Sequence, residues 1–271
     1  PLALVARLRR PSARRILSAH GTDVSFPARG GVAGDIYGAY LRLGARLLGE
    51  VTVIANSAAT AAAASHLGYR NTAVVPLAAE TALVGEAPEM AEQTILFSGR
   101  LIALKGCRWF IETVLPRLPE TMVLEVAGTI WDDEERAALD APRVCYLGRL
   151  DQATLHRRMA AAMCVIVPNI QLENGQFEGF GLVAVEAAAV GGVVVAARHA
   201  GLKEAVKDGE TGFLVPPGDA ARWVERITEI ADWDPEKRAK FTERARDTAA
   251  GYYNWDRVAR DTARLYSQCT A

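Results

Sequence analysis

The chain has 271 residues, half of them hydrophobic, with 31 Lys and Arg set against 32 Asp and Glu for a formal charge of -1. That length allows one large domain or two small ones with ample core. The balanced charge, with a pI of about 6.6, excludes a general nucleic-acid binder, which would be basic, so any bound anion must be held by local charge.

Residues 2–8 read as helix from the middle of a domain. The basic run of Arg7, Arg9, Arg10, Arg14 and Arg15 reads as a solvated helix face and loop or, alternatively, as a peripheral contact with anionic lipid. Strands are expected at 16–19, 51–55 and 72–75, with an alanine-rich helix at 58–67. Three strands are few for a complete doubly wound lobe. Gly30, Gly31, Gly34 and Gly38 lack G-x-G-x-x-G spacing, so 28–38 is expected to be a mobile loop. Polar residues 85–93, with Pro88, mark a lobe boundary.

From Thr94 the pattern becomes strict alternation. Strands are expected at 94–98, 122–127, 144–147, 164–167, 193–197 and 213–215. Helices are expected at 109–115, 132–139, 151–161, 181–190 and 201–207, then at 221–232, 235–250 and 255–269. Apolar runs alternating with helices of about ten residues predict βαβ units and a parallel sheet, buried on both faces. Ligands of such sheets bind at the carboxyl ends of the strands. The expected organisation is an α/β chain with a partial first lobe over 1–92, a Rossmann-like lobe over 93–235, and helices over 236–271 returning to the first lobe.

The longest apolar run, 182–197, is broken by Glu186 and split at Gly191-Gly192, too short to span a bilayer. No signal peptide is visible. The cysteines Cys107, Cys145, Cys164 and Cys269 make no CxxC pair, and unpaired cysteines in apolar stretches fit a reducing, cytoplasmic setting. Opening on Pro1 rather than Met, the chain is expected to start inside a larger protein.

Two segments carry the chemistry. Ser98-Gly99-Arg100-Leu101, followed by Lys105-Gly106, comes directly after an expected strand. Arg offers a planar fork and Lys a point charge, which together can neutralise a diphosphate; taken alone they read rather as solvated surface cations. Glu178-Gly179-Phe180-Gly181-Leu182 is a glycine-rich turn opening a helix, where free backbone N–H groups suit phosphate. Glu186 then sits in an apolar helix, where an acid is seldom buried without a partner. Asp132, Asp133 and Glu134 read as a helix start. His66, His156 and His199 show no metal-ligand spacing and read as structural or exposed.

The strings FSGRLIALKG, VAG, YLGRL, FEGFGLVAVEAAAVGG and GLKEAVKDGETGFLVPPGD, in that order over 94–219, resemble the retaining family-four glycosyltransferases, the glycosyl transferases group 1 with the GT-B fold. His20-Gly21-Thr22-Asp23, Ala55-Asn56-Ser57 and Tyr253-Asn254-Trp255 resemble further segments of that family. The resemblance implies two Rossmann-like lobes and a retaining transfer of sugar from a nucleotide diphosphate donor to a glycan, lipid-linked or small acceptor, as in polysaccharide biosynthesis, without a catalytic metal. It places Arg100 and Lys105 on the donor diphosphate and Glu178 on sugar hydroxyls. The Phe180 turn, Gly181 and Leu182 fall at the phosphate, Glu186 at the ribose, and Leu147 and Gly148 at the base. His20 falls near the transferred sugar on the acceptor side, and segment 28–38 belongs to that side. Two features depart from the family: no strand with a glycine-rich loop precedes His20, and Ala200-Gly201 stands where a double glycine is common. The alternatives are a GT-B phosphorylase or disaccharide synthase, and a donor-binding subunit inactive without a partner lobe.

Overall fold

The computed structural model describes residues 2–10, 12–13, 15–79 and 89–268; Arg14, Pro88 and Cys269 lie outside the described residues. The first lobe runs α1 (Leu2–Arg9), β1 (Arg15–Ala19), α2 (Thr22–Ser25), α3 (Gly31–Leu48), β2 (Val51–Ala55), α4 (Ala58–His66) and β3 (Asn71–Val74). Its three strands form a parallel sheet in the order β1-β2-β3, with Ala19 opposite Ala55 and Ala55 opposite Val74. A small core of Ala19, Leu48, Val51, Val53, Leu67 and Tyr69 packs beneath it.

The expected mobile loop at 28–38 is instead a 3-10 turn, Phe26–Arg29, leading into the 18-residue helix α3. Glycines read as breakers, but here they allow close packing. A Cβ on Gly34 would stand 3.1 Å from the Pro27 carbonyl oxygen, and one on Gly38 3.2 Å from the Pro27 side chain. The helix lies against the turn because those side chains are missing.

The second lobe runs β4 (Ala91–Ser98), α5 (Cys107–Trp109), β5 (Val123–Ala127), α6 (Asp133–Ala138), β6 (Val144–Gly148), α7 (Gln152–Ala161), β7 (Ala162–Val167), α8 (Leu182–Ala189), β8 (Val194–Ala197), α9 (Leu202–Ala205) and β9 (Phe213–Val215). Helices α10 (Ala220–Ala231), α11 (Pro235–Tyr252) and α12 (Trp255–Gln268) follow. Asp132, Asp151, Asp219 and Asp234 each accept a backbone N–H with their side chains at a helix start, satisfying a donor the helix leaves free. The helix expected at 109–115 is uneven: after α5 comes a π turn, Phe110–Val114, then a 3-10 turn, Leu115–Arg117. Pro116 lacks the N–H that would continue the regular ladder.

The six strands are parallel in the order β6-β5-β4-β7-β8-β9. From β4 the chain builds one way through β5 and β6. It then returns to β7 and builds the other way. The order reverses between β4 and β7, and the crevice at that switch is where such a sheet presents a ligand. The middles of the two strands at the switch are dry: Ile95, Leu96, Phe97, Cys164, Val165 and Ile166 are at most 1% exposed.

The last helices tie the lobes together. The Arg238 guanidinium donates to the Ala162 and Met163 carbonyls at 2.7 and 2.6 Å. Arg257 donates to Pro76 O at 2.6 Å, just beyond β3, and Tyr253 O accepts from Ala79 N at 3.2 Å. No described helix is long and apolar enough to cross a membrane.

Candidate functional site

The β4 and β7 loops interlock at the switch point. After β4 the 3-10 turn Ala103–Lys105 ends at Gly106, whose φ of 70° reverses the chain. A Cβ there would collide with the Pro168 carbonyl at the end of β7. This places Lys105 over the β7 loop, where its ammonium pairs with Glu178 Oε2; the two side chains are only 15% and 16% exposed. Asn169, 1% exposed, donates from Nδ2 to the same Oε2 at 3.3 Å. Burial is the largest influence on Glu178 and pushes its pKa up. The Lys105 charge and hydrogen bond, the Asn169 bond and the Arg100 charge together outweigh burial and leave it below the usual glutamate value. Glu178 is therefore an ionised acceptor at neutral pH, set between two cations.

Beyond Glu178, Gly181 (φ 99°) opens α8 with no side-chain cap. The first backbone N–H groups of a helix have no partner within it, so this end can receive phosphate oxygens. Leu182 is 41% exposed there. Phe180 turns inward, 2% exposed, its ring edge-on to Tyr253 at 6.3 Å; it offers the cleft backbone only. Glu186 is half-buried on α8, and burial pushes its carboxyl up against the charge of His156. His156, on α7, is 6% exposed with no hydrogen-bond partner for Nε2. Leu147 and Gly148 end β6, and Gly148 O accepts from Gly128 N at 2.8 Å, so the β5 and β6 loops lie side by side.

The first lobe meets this site through backbone. The exposed His20 donates its N–H to both Asp23 carboxylate oxygens at 3.0 Å, and its carbonyl accepts from Asn56 Nδ2 at 3.0 Å. A Cβ on Gly179 would strike that His20 carbonyl, and one on Gly21 (φ 107°) would lie 2.6 Å from Gly179 Cα. On the other side a Cβ on Gly201 would strike Gly179 O, while Gly201 N donates to Glu178 O at 3.1 Å. Gly21 of the first lobe and Gly201 of the second thus both pack closely on Gly179, the residue that follows Glu178. Glu204 adds a second tie. Its Oε1 accepts from Ala58 N at 3.0 Å, at the start of α4, and Tyr253 OH donates to its carbonyl at 2.7 Å. Its Oε2 is buried without a partner.

The structure pairs Lys105 with Glu178 within reach of the Arg100 charge, sets Gly181 and Leu182 just beyond at the start of α8, and packs the His20-Gly21 backbone against Gly179. Of the basic run, Arg7, Arg9 and Arg10 are exposed on and just after α1, and Arg15 is half-buried in β1, its guanidinium donating to the Arg10 carbonyl at 3.0 Å. Cys107 and Cys164 are buried, but Cys145 is exposed on the edge strand β6. Asn169 and the exposed Trp131 escaped the sequence reading, His156 was read as structural or exposed, and Glu204 only as part of a short helix. Asn169 alone had a local signal, as the polar residue after the β7 apolar run and Pro168; the others gain meaning only from neighbours distant in sequence.

The family model described as glycosyl transferases group 1 matches residues 92–232. Among curated relatives, the chain is 30% identical over 184 residues to an uncharacterized glycosyltransferase of Methanocaldococcus jannaschii, covering 65% of this chain and 45% of that protein. It is 35% identical over 189 residues to a D-inositol 3-phosphate glycosyltransferase of Mycobacteroides abscessus, covering 66% of this chain and 40% of that one. The chain therefore spans less than half the length of these relatives. In structure it resembles Anabaena HepE, solved with UDP and glucose, over 98% of this chain and 74% of that one, with TM-score 0.77 and 22% identity. It also resembles sucrose-phosphate synthase of Thermosynechococcus elongatus over 98% and 71%, with TM-score 0.74 and 23% identity. These likenesses establish the two-lobed GT-B fold expected from the sequence.

Proposed function

Because the chain belongs to the glycosyl transferases group 1 family, we propose that it binds a nucleotide diphosphate sugar at the β4/β7 switch point and transfers the sugar with retention of configuration. The observation that carries this reading is the Lys105–Glu178–Asn169 cluster with Arg100 beside it. An ionised carboxylate accepts hydrogen bonds from sugar hydroxyls. Two cations and the start of α8 stabilise the negative charge of a departing diphosphate. With Arg100 and Lys105 supplying that charge, turnover continues in the presence of a chelator. Glu186, half-buried one turn into α8, accepts from the ribose. His20 faces the acceptor, a glycan, a lipid-linked sugar or a small metabolite. Retention rests on the resemblance of the motif strings and is tested by the anomeric configuration of the product.

Calorimetry tests the donor site. Glu186→Ala is expected to weaken a nucleoside diphosphate about tenfold, the effect of one hydrogen bond to a charged group; unchanged affinity rejects the assignment. Comparing turnover of a nucleotide donor with turnover in free phosphate separates transferase from phosphorylase. A second reading, a donor-binding chain that turns over only beside a further acceptor-side surface, is favoured by the first lobe's three-stranded sheet with β1 at its edge. In that case nucleotides bind while transfer needs the added partner.

A further inference from the structure

The loop after β5 carries a side chain that the donor reading leaves unused. Leu101 N donates to Thr129 O at 2.8 Å and Trp131 N to Leu101 O at 3.2 Å, so the loops after β4 and β5 pair in parallel through Leu101 and Ile130. That pairing fixes Arg100 and Trp131 relative to each other. The Arg100 guanidinium lies over the indole, 5.6 Å from the ring centroid. The indole N–H donates to Thr129 Oγ1 at 3.1 Å, which sets the tilt of the ring. Even so, Trp131 is 68% exposed.

A tryptophan left open at the ligand end of a parallel sheet forgoes the large stabilisation that burying its ring would give. It is also oriented at both ends, by a hydrogen bond and by a cation. The cation is one of the two that face the proposed diphosphate. Gly148, at the end of the neighbouring strand β6, has nothing within 4 Å of where a Cβ would stand, so the space beside the β5 loop is open. The group that needs an oriented aromatic face, within reach of a phosphate cation and beside an open glycine, is a planar heteroaromatic ring joined to a phosphate.

We propose that Trp131 is the stacking platform for the base of the nucleotide. This rests on the donor-site reading. It adds that base affinity comes largely from a π-face, which every base shares, rather than from edge recognition. Trp131 contributes little to the phosphates themselves, which Arg100, Lys105 and the start of α8 hold.

The test is calorimetric titration of the chain and its Trp131→Ala and Trp131→Phe variants with UDP, GDP and ADP, and separately with inorganic pyrophosphate. The exposed side chain can be removed without disturbing the core. In Trp131→Ala the nucleoside diphosphates are expected to bind about 10- to 100-fold more weakly, the usual effect of losing one base–aromatic stack. Trp131→Phe retains most of the affinity, and pyrophosphate binding is unchanged in both variants. Unchanged nucleotide affinity in Trp131→Ala overturns the platform. An equal loss for pyrophosphate also overturns it, because Trp131 would then act by positioning Arg100. Failure of the unsubstituted chain to bind either probe rejects the donor-site reading itself, and the platform with it.

Discussion

The two sheets are assembled from the same parallel βαβ units, yet they bring different things to the cleft. The six-stranded sheet surrounds its switch point with charge: Arg100, Lys105, Glu178 and the start of α8. The three-stranded sheet supplies backbone, in the His20 carbonyl and the Gly21 turn, and holds them with Asn56 and Asp23. The packing differs in the same sense. Strand β7 and the middle of β4, Ile95–Phe97, are buried, whereas α3 leaves Val32, Ile36, Leu43 and Leu47 exposed, from 46% to 77%. A preorganised charged site needs rigid, water-excluded support, and the six-stranded lobe supplies it. The other lobe sets how closely something can approach.

The largest effect is expected where that contrast is sharpest. Lys105→Ala removes one diphosphate cation and leaves Glu178 half-stranded. Breaking a buried ion pair costs about 3–5 kcal/mol of stability, and the partial exposure of this one lowers the expectation to about 2–3 kcal/mol in unfolding; the lost cation also weakens nucleotide binding by calorimetry. A pH series sharpens the result. The folded-state pKa of Glu178 is depressed, so its stabilisation is complete above the ordinary glutamate range and is lost as pH falls through the lowered value. Without Lys105, burial is opposed only by Asn169 and Arg100. The acid-side loss of thermal stability that Glu178 contributes is then smaller than in the unsubstituted chain. Coincident curves for the two proteins would show that Lys105 does not set the ionisation of Glu178.

Next in size is Gly179→Ala. Its methyl group would strike the His20 carbonyl and crowd Gly21. Overpacking of a tight contact costs about 1–3 kcal/mol. The loss is expected to appear as weaker protection of the 19–25 backbone from hydrogen exchange, with the β4–β8 amides unaffected. Uniform loss across both sheets would mean that the lobes do not part at this contact.

The sequence carried most of the second lobe because its strands are continuous apolar runs and its helices begin at Asp132, Asp151 and Asp219, local signals that survive without tertiary context. Lys105, Glu178 and Glu186 stood out in the sequence for a similar reason: each charge lies in a glycine-flanked turn or in an apolar helix. Helix α3 was missed because Gly34 and Gly38 lower helix propensity, and the benefit they bring is contact with Pro27, invisible to local pattern. Glu204 stood out only as part of a short helix, because its partner, Ala58 N, lies 146 residues away.

That distant contact gives a smaller prediction. Glu204→Ala leaves the start of α4 without an acceptor that also complements the helix dipole, at a cost of about 1 kcal/mol. The effect should add to that of a remote core substitution but fall short of additivity with Gly179→Ala, because both act on the same lobe contact. Full additivity in thermal unfolding would mean that the two ties are independent.

The smallest expected effect is a gain. Ala200 has a φ of 44°, beside the Gly201 that packs on Gly179. A side chain in the left-handed region costs about 1–2 kcal/mol, and replacing it by glycine gives back about 0.5–1 kcal/mol in the entropy of the unfolded chain. Ala200→Gly is therefore expected to stabilise the protein by about 0.5–1 kcal/mol, a rise in Tm of about 1–3 °C for a chain of this size. The sequence shows alanine here as a departure from a double glycine, and the backbone shows what that departure costs. Because the strain lies at the glycine contact between the lobes, relief should also steady the His20-Gly21 turn. A Tm that falls would mean that Ala200, 8% exposed, contributes more through its buried methyl group than its backbone loses.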